Sequence, residues 1–147
     1  MTPTEIETIV LDAFAYLLES FGFRYLSTNT HTPECWSTFH NETTAVTVHY
    51  EVGSEPWVEL AELKREGNRV VERNRVALHF LVEERAPQEV SLRGPGDDDE
   101  GTRRVIYEKA RQLQQYGSDI LRGDFHVFPR LKEHAAENLR RRNAAEV

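Results

Sequence analysis

Two tryptophans, two histidines and a glutamate fall on one side of a predicted strand block between Trp36 and Leu63. With Glu42-Thr43 as a two-residue turn, Trp36 lies beside His49, Thr38 beside Thr47, and His40 beside Ala45. The opposite face pairs Cys35 with Tyr50, Ser37 with Val48, and Phe39 with Val46, so one face is the more apolar, as a half-buried antiparallel pair requires. A three-residue loop at Gly53-Ser54-Glu55 adds Trp57, Glu59 and Ala61 to the Trp36 face and Val58 and Leu60 to the apolar face. A two-residue loop would reverse this and bury the Glu59 carboxylate unpaired, which is costly. Indoles offer a large contact area with one N–H donor and are enriched at binding hot spots. A histidine beside a carboxylate can also move a proton. Trp36, His40, His49, Trp57 and Glu59 are therefore the candidate binding residues, with Glu51 nearby. The competing role for the two tryptophans is core packing beneath the C-terminal helices.

Other chemistry-bearing residues lack the necessary context. His31, His40 and His49 supply imidazoles, but no His-x-x-x-His or Cys-x-x-Cys spacing accompanies them, and His40 and His49 are diagonal in the strand pairing. No metal site is expected. Cys35, the only cysteine, lies on the face opposite His49 and reads as an inert, semi-buried thiol. Asp97-Asp98-Asp99-Glu100 lacks the alternating ligands of a calcium loop and reads as solvated. No glycine loop cradles a phosphate, and neither Ser118-Asp119 nor Gly123-Asp124 sits in a strand–elbow–helix setting. No catalytic residue and no cofactor is assigned.

The elements that position this face follow from the flanking pattern. Thr4 and Glu7 match a capping box, and Ile6, Ile9, Val10, Ala13, Phe14, Leu17 and Leu18 recur at helical spacing up to Gly22. Phe23 to Leu26 reads as a short strand and Thr28 to Pro33 as a loop. Arg65-Glu66-Gly67-Asn68 turns the chain into a fourth strand at Val70-Val71. Asn74 reads as the cap of a helix through Glu84, with Val76 to Leu81 equally readable as a buried strand. Residues 94–101 form a mobile acidic loop, and Thr102 opens a long helix with Gly117 inside it. Gly123 ends one helix, Asp124 caps the next, and a polar tail frays from Asn138. The pattern predicts one α+β domain over 1–147: an N-terminal helix, an antiparallel sheet of three to five strands, and C-terminal helices packed on it.

Composition narrows the function classes. At 147 residues, 39% hydrophobic and 29% charged, the chain fits one soluble globular domain. Its formal net charge of -7 disfavours nucleic acid and anionic membrane, because phosphate contacts need a basic surface. Arg140-Arg141-Arg142 is a small basic cluster in the tail, not the start of a recognition helix. No apolar run approaches the roughly 20 residues of a membrane span. The acidic start at Met1 to Glu5 lacks the basic region of a secretory signal. A lone cysteine suits a reducing compartment, so a cytoplasmic location is expected. In size, acidity and layout the chain resembles bacterial immunity proteins that neutralise basic toxins. The expectation is a non-catalytic binding or regulatory protein whose protein partner, or second copy, meets the aromatic face. The alternatives are a small-molecule-binding protein or enzyme with a pocket between sheet and C-terminal helices, His49 acting as acid–base group and Glu59 orienting it, and a homo-oligomeric structural protein.

Overall fold

The first helix begins where a threonine and a glutamate cap each other. In the computed structural model, which describes residues 1–31, 34–51, 53–89 and 98–145, the Thr2 hydroxyl accepts from Glu5 N–H at 3.1 Å. The Glu5 carboxylate accepts from Thr2 N–H at 3.0 Å. The capping box thus lies two residues before the Thr4–Glu7 pair that the sequence pattern favours, because Pro3 is pre-set for the first helical position. The run also divides at Phe14 into α1 (Pro3–Ala13) and α2 (Ala15–Ser20). Gly22, at φ +69°, ends it as expected.

Five strands follow as an antiparallel meander in sequence order: β1 (Arg24–His31), β2 (Glu34–His40), β3 (Thr44–Glu51), β4 (Trp57–Glu66) and β5 (Arg69–Ala77). The β2–β3 register is the predicted one, with Trp36 opposite His49 and Phe39 opposite Val46. The β3–β4 faces are also as predicted, with Val58 and Leu60 inward. Their ladder closes at His49 opposite Trp57, so the connection is longer than three residues, an even extension that preserves which face each side chain takes. Gly67-Asn68 turns β4 into β5, with Glu66 opposite Arg69 and Gly67 in the left-handed region at φ +62°.

Four sequence expectations need correction. Residues Thr28 to His31 continue β1 instead of forming a loop; a bulge at Leu26 interrupts the alternation and hides the strand. Asn74 is not a helix cap. It sits at φ 57° in a bulge of β5, the strand runs on to Ala77, and α3 (Leu78–Arg85) starts only there. The segment 76–82 is therefore strand and then helix. Asp98 accepts from Gly101 N–H at 2.7 Å and caps α4 (Asp99–Tyr116), so Asp99 to Gly101 are its first turn and not loop. Acidic side chains there suit the positive end of the helix dipole; residues 94–97 lie outside the described residues. Gly117 ends α4 instead of bending it: a Cβ there would lie 2.9 Å from the Leu113 carbonyl oxygen. The short α5 (Ser118–Leu121) follows, and α6 (Phe128–Ala145) continues past Asn138.

All the helices contribute to one side. Phe14, Leu17, Ile106, Leu113, Ile120 and Leu131 are fully buried in a cluster with Val46, Val48, Val58 and Leu60. Each such side chain contributes on the order of 1.5–3 kcal/mol on burial. Asn41 locks the β2–β3 turn to this layer. Its Nδ2 donates to the Phe21 carbonyl at 3.1 Å and the Leu121 carbonyl at 2.9 Å, while its Oδ1 accepts from Thr43 N–H at 2.9 Å and Thr44 N–H at 2.8 Å. Among the described residues no helix is long and apolar enough to cross a membrane.

Candidate functional site on the outer sheet face

The outer face is built in rows by the strand registers. Glu34 lies opposite Glu51. The next row is Trp36–His49–Trp57, then Thr38–Thr47–Glu59, then His40–Ala45–Ala61. The outward Ala45, Ala61 and Leu63 form their own small buried cluster, separate from the helix-packed core. Both indoles are half-buried on this face, so they do not belong to the core under the C-terminal helices. Bulging twists the β4–β5 hairpin over the face. Glu72 and Arg75 of β5 thereby join Trp36, Thr38, His40 and Thr47 around a cleft of about 540 Å³.

The charges on the cleft's β4–β5 side are mutually paired. The His49 ring stacks on Trp57 at 4.7 Å with an interplanar angle of 1°. Its buried Nε2 lies 2.8 Å from Glu59 Oε1, off hydrogen-bond alignment. Trp57 Nε1–H donates to the same oxygen at 3.4 Å, and Arg75 lies 3.8 Å from it while also pairing with Glu72. The His49 contact, opposed by burial and aided by Arg75, holds the Glu59 carboxyl below the usual glutamate range. A depressed carboxyl contributes stability that is complete above its unfolded value, about 4.3, and is lost as pH falls through the folded value. The stability gap between wild type and Glu59→Gln is therefore expected to be widest above that value and to narrow on acidification, in denaturant titrations run across the acid range. A gap that widens in acid would contradict the pairing.

The other candidates separate from this group. His40 lies one row beyond Thr38, and burial, with Glu72 acting against it and Arg24 with it, pushes its imidazole below the usual value. At neutral pH it is an uncharged ring facing the cleft. Cys35 is on the opposite face and 5% exposed, and burial pushes its thiol up, so it is a poor nucleophile. Thr47, already placed on this face by the strand pairing, lines the cleft too, whereas Glu72 and Arg75 join it without any sequence signal, because the Asn74 bulge breaks the alternation of β5.

Among the described residues, Asp119, Asp124 and His126 come close enough to share an ion. Both Asp119 oxygens, however, accept from Arg85 at 2.7 Å, which joins α3 to α5 and supplies the charge a metal would. Arg140 and Arg141 pair with Glu137 on the exposed side of α6. Comparison of the chain with protein-family models, with curated proteins and with solved structures finds no match.

Proposed function

We propose that the chain is a non-catalytic binding or regulatory protein that meets a protein partner through the Trp36–His49–Trp57 face. The observation that carries this reading is the placement of two half-exposed indoles on the sheet face away from the helix-packed core. Large aromatic surface left partly open, around a cleft with polar walls, is the composition of an interface centre. Against a pocket between sheet and helices stands the filling of that layer: Phe14, Phe39, Leu60 and Leu113 are each 0% exposed. Against catalysis at His49 stands its packing, since Trp57 covers one ring face. The net charge of -7 favours a basic partner in the reducing interior of a cell.

Trp36 and Trp57 separate binding from folding. Trp36 stacks on no ring and makes no hydrogen bond among the described residues, whereas Trp57 supports His49. Trp36→Ala is expected to leave the circular dichroism spectrum and the unfolding midpoint near those of wild type. In affinity purification from the native host it should lose a protein that wild type retains, with affinity falling at least about tenfold. Recovery of no partner by wild type, together with unfolding of Trp36→Ala, would sink the proposal.

A further inference from the structure

Helix α6 is fastened to the protein by two different means along its length. Its first turn is held by apolar burial, with Phe128 3% and Leu131 0% exposed. From Lys132 to Ala145 no side chain is buried, and Arg140 and Arg141 pair with Glu137 of the same helix. Among the described residues, the side-chain hydrogen bonds from this stretch to another element are the two made by His134. Its Nδ1 lies 3.0 Å from Glu83 Oε1 and its Nε2 2.7 Å from Glu84 Oε2, both on α3. A carboxylate accepts and does not donate, and a neutral imidazole has a single N–H, so the imidazolium alone makes both bonds at once. Glu84 also accepts from Arg130, one turn earlier on α6, whose charge Glu133 meets as well. Glu83 Oε2 lies 3.5 Å from His79 Nε2 on α3. On β5, which also packs against α6, Arg73 pairs with Glu66 and Arg75 with Glu72, and Arg69 stands opposite Glu66 at the hairpin turn.

We propose that His134 works as a pH-operated clasp: its imidazolium fastens the outer part of α6 to α3 through Glu83 and Glu84, and loss of the proton releases that part. The clasp does not depend on what the sheet face binds. The Glu84 hydrogen bond, opposed by burial and aided by Glu83, holds the imidazole above its ordinary value. A raised folded value makes the stabilisation complete below the unfolded value, about 6.5, and removes it as pH rises through the folded value. The clasp is thus closed in mild acid and opens on the alkaline side of about 6.5. Opening stops at Leu131, because Arg130 stays charged beside Glu84 and the apolar first turn does not titrate. Beyond that point about three helical turns face solvent, a length at which a helix is marginal without contact to a folded body.

The test is NMR on the full chain between about pH 5 and 9, a range that spans histidine titration. The imidazole ring protons give the His134 midpoint, assigned by their loss in H134Q. The proton–nitrogen heteronuclear NOE of the backbone over 135–145 reports whether the outer part of α6 is held. The midpoint is expected above about 6.5, and the NOE over 135–145 should fall with that same midpoint while the first turn of α6 stays level. H134Q carries no titrating ring and should show the low NOE at every pH. E83Q keeps the Arg130–Glu84 pair and should move the His134 midpoint down, carrying the NOE transition with it. H79Q should retain the transition. An NOE that stays level through the His134 titration, a high NOE or a persisting transition in H134Q, a transition abolished by H79Q, or a His134 midpoint at or below about 6.5 would each overturn the clasp.

Discussion

Asn41→Ala should lower the unfolding free energy by about 3 kcal/mol, from five hydrogen bonds each contributing on the order of 0.5–1 kcal/mol net. The side chain is small, so packing supplies little of that loss. What disappears is a junction: the amide joins the β2–β3 turn to the end of α2 through the Phe21 carbonyl and to the end of α5 through the Leu121 carbonyl. Both carbonyls lie near helix ends, where acceptors lack intrahelical partners. Asn41→Asp keeps the two turn bonds to Thr43 and Thr44 but sets a carboxylate against two carbonyl oxygens, so it should be nearly as damaging. Urea titration reads both as a lower midpoint with an unchanged slope. A loss below about 1 kcal/mol for Asn41→Ala would mean that water replaces the amide and that the junction is weak.

Phe39→Ala should have the larger effect, about 3–5 kcal/mol, through lost burial and the cavity left behind. Phe39 is 0% exposed, with its ring centroid 6.2 Å from Phe14 and 5.2 Å from Tyr25. It therefore stands where α1–α2, β1 and β2 meet, and rigid strands on one side limit collapse into the gap. Phe39→Leu, which keeps most of the volume, should cost under about 2 kcal/mol. If the two substitutions prove equally costly by urea titration, the ring contacts, not the filled volume, hold this layer together. If both are nearly neutral, the helices are not packed on this face of the sheet.

The strand block was readable in advance because its chemistry is local. Phe39, Val46, Val48, Val58 and Leu60 alternate with polar or aromatic residues, and a period of two assigns faces whatever the loop length, provided its parity holds. That is why Trp57 and Glu59 fell on the correct side although the β3–β4 ladder closes farther from the turn than expected. Bulges defeat the same reasoning. Leu26 in β1 and Asn74 in β5 each insert a residue that reverses the alternation, so β1 looked short and β5 looked like a helix start. Limiting this strand to Val70-Val71 also lost Arg75 and Glu72, the two charged residues that complete the cleft. The cap at Asp98 was missed for a different reason. A run of acids beside glycines reads as repulsive and irregular, but the unpaired N–H groups of a helix start are where such charge is stabilised.

The pattern of residues determined which side chains share a face, that Trp36, His49 and Trp57 make one row, and that helices flank an antiparallel sheet. Those properties follow from backbone geometry acting over a few residues. Only the tertiary structure decided which face the helices cover and how far the β4–β5 hairpin folds over the other. It also decided which carboxylates find a cation: Glu59 meets Arg75, while Glu34 meets Glu51 across the ladder. These outcomes depend on contacts between segments distant in the chain, where the twist accumulated at bulges sets the approach of one strand to another, and no local period encodes that sum.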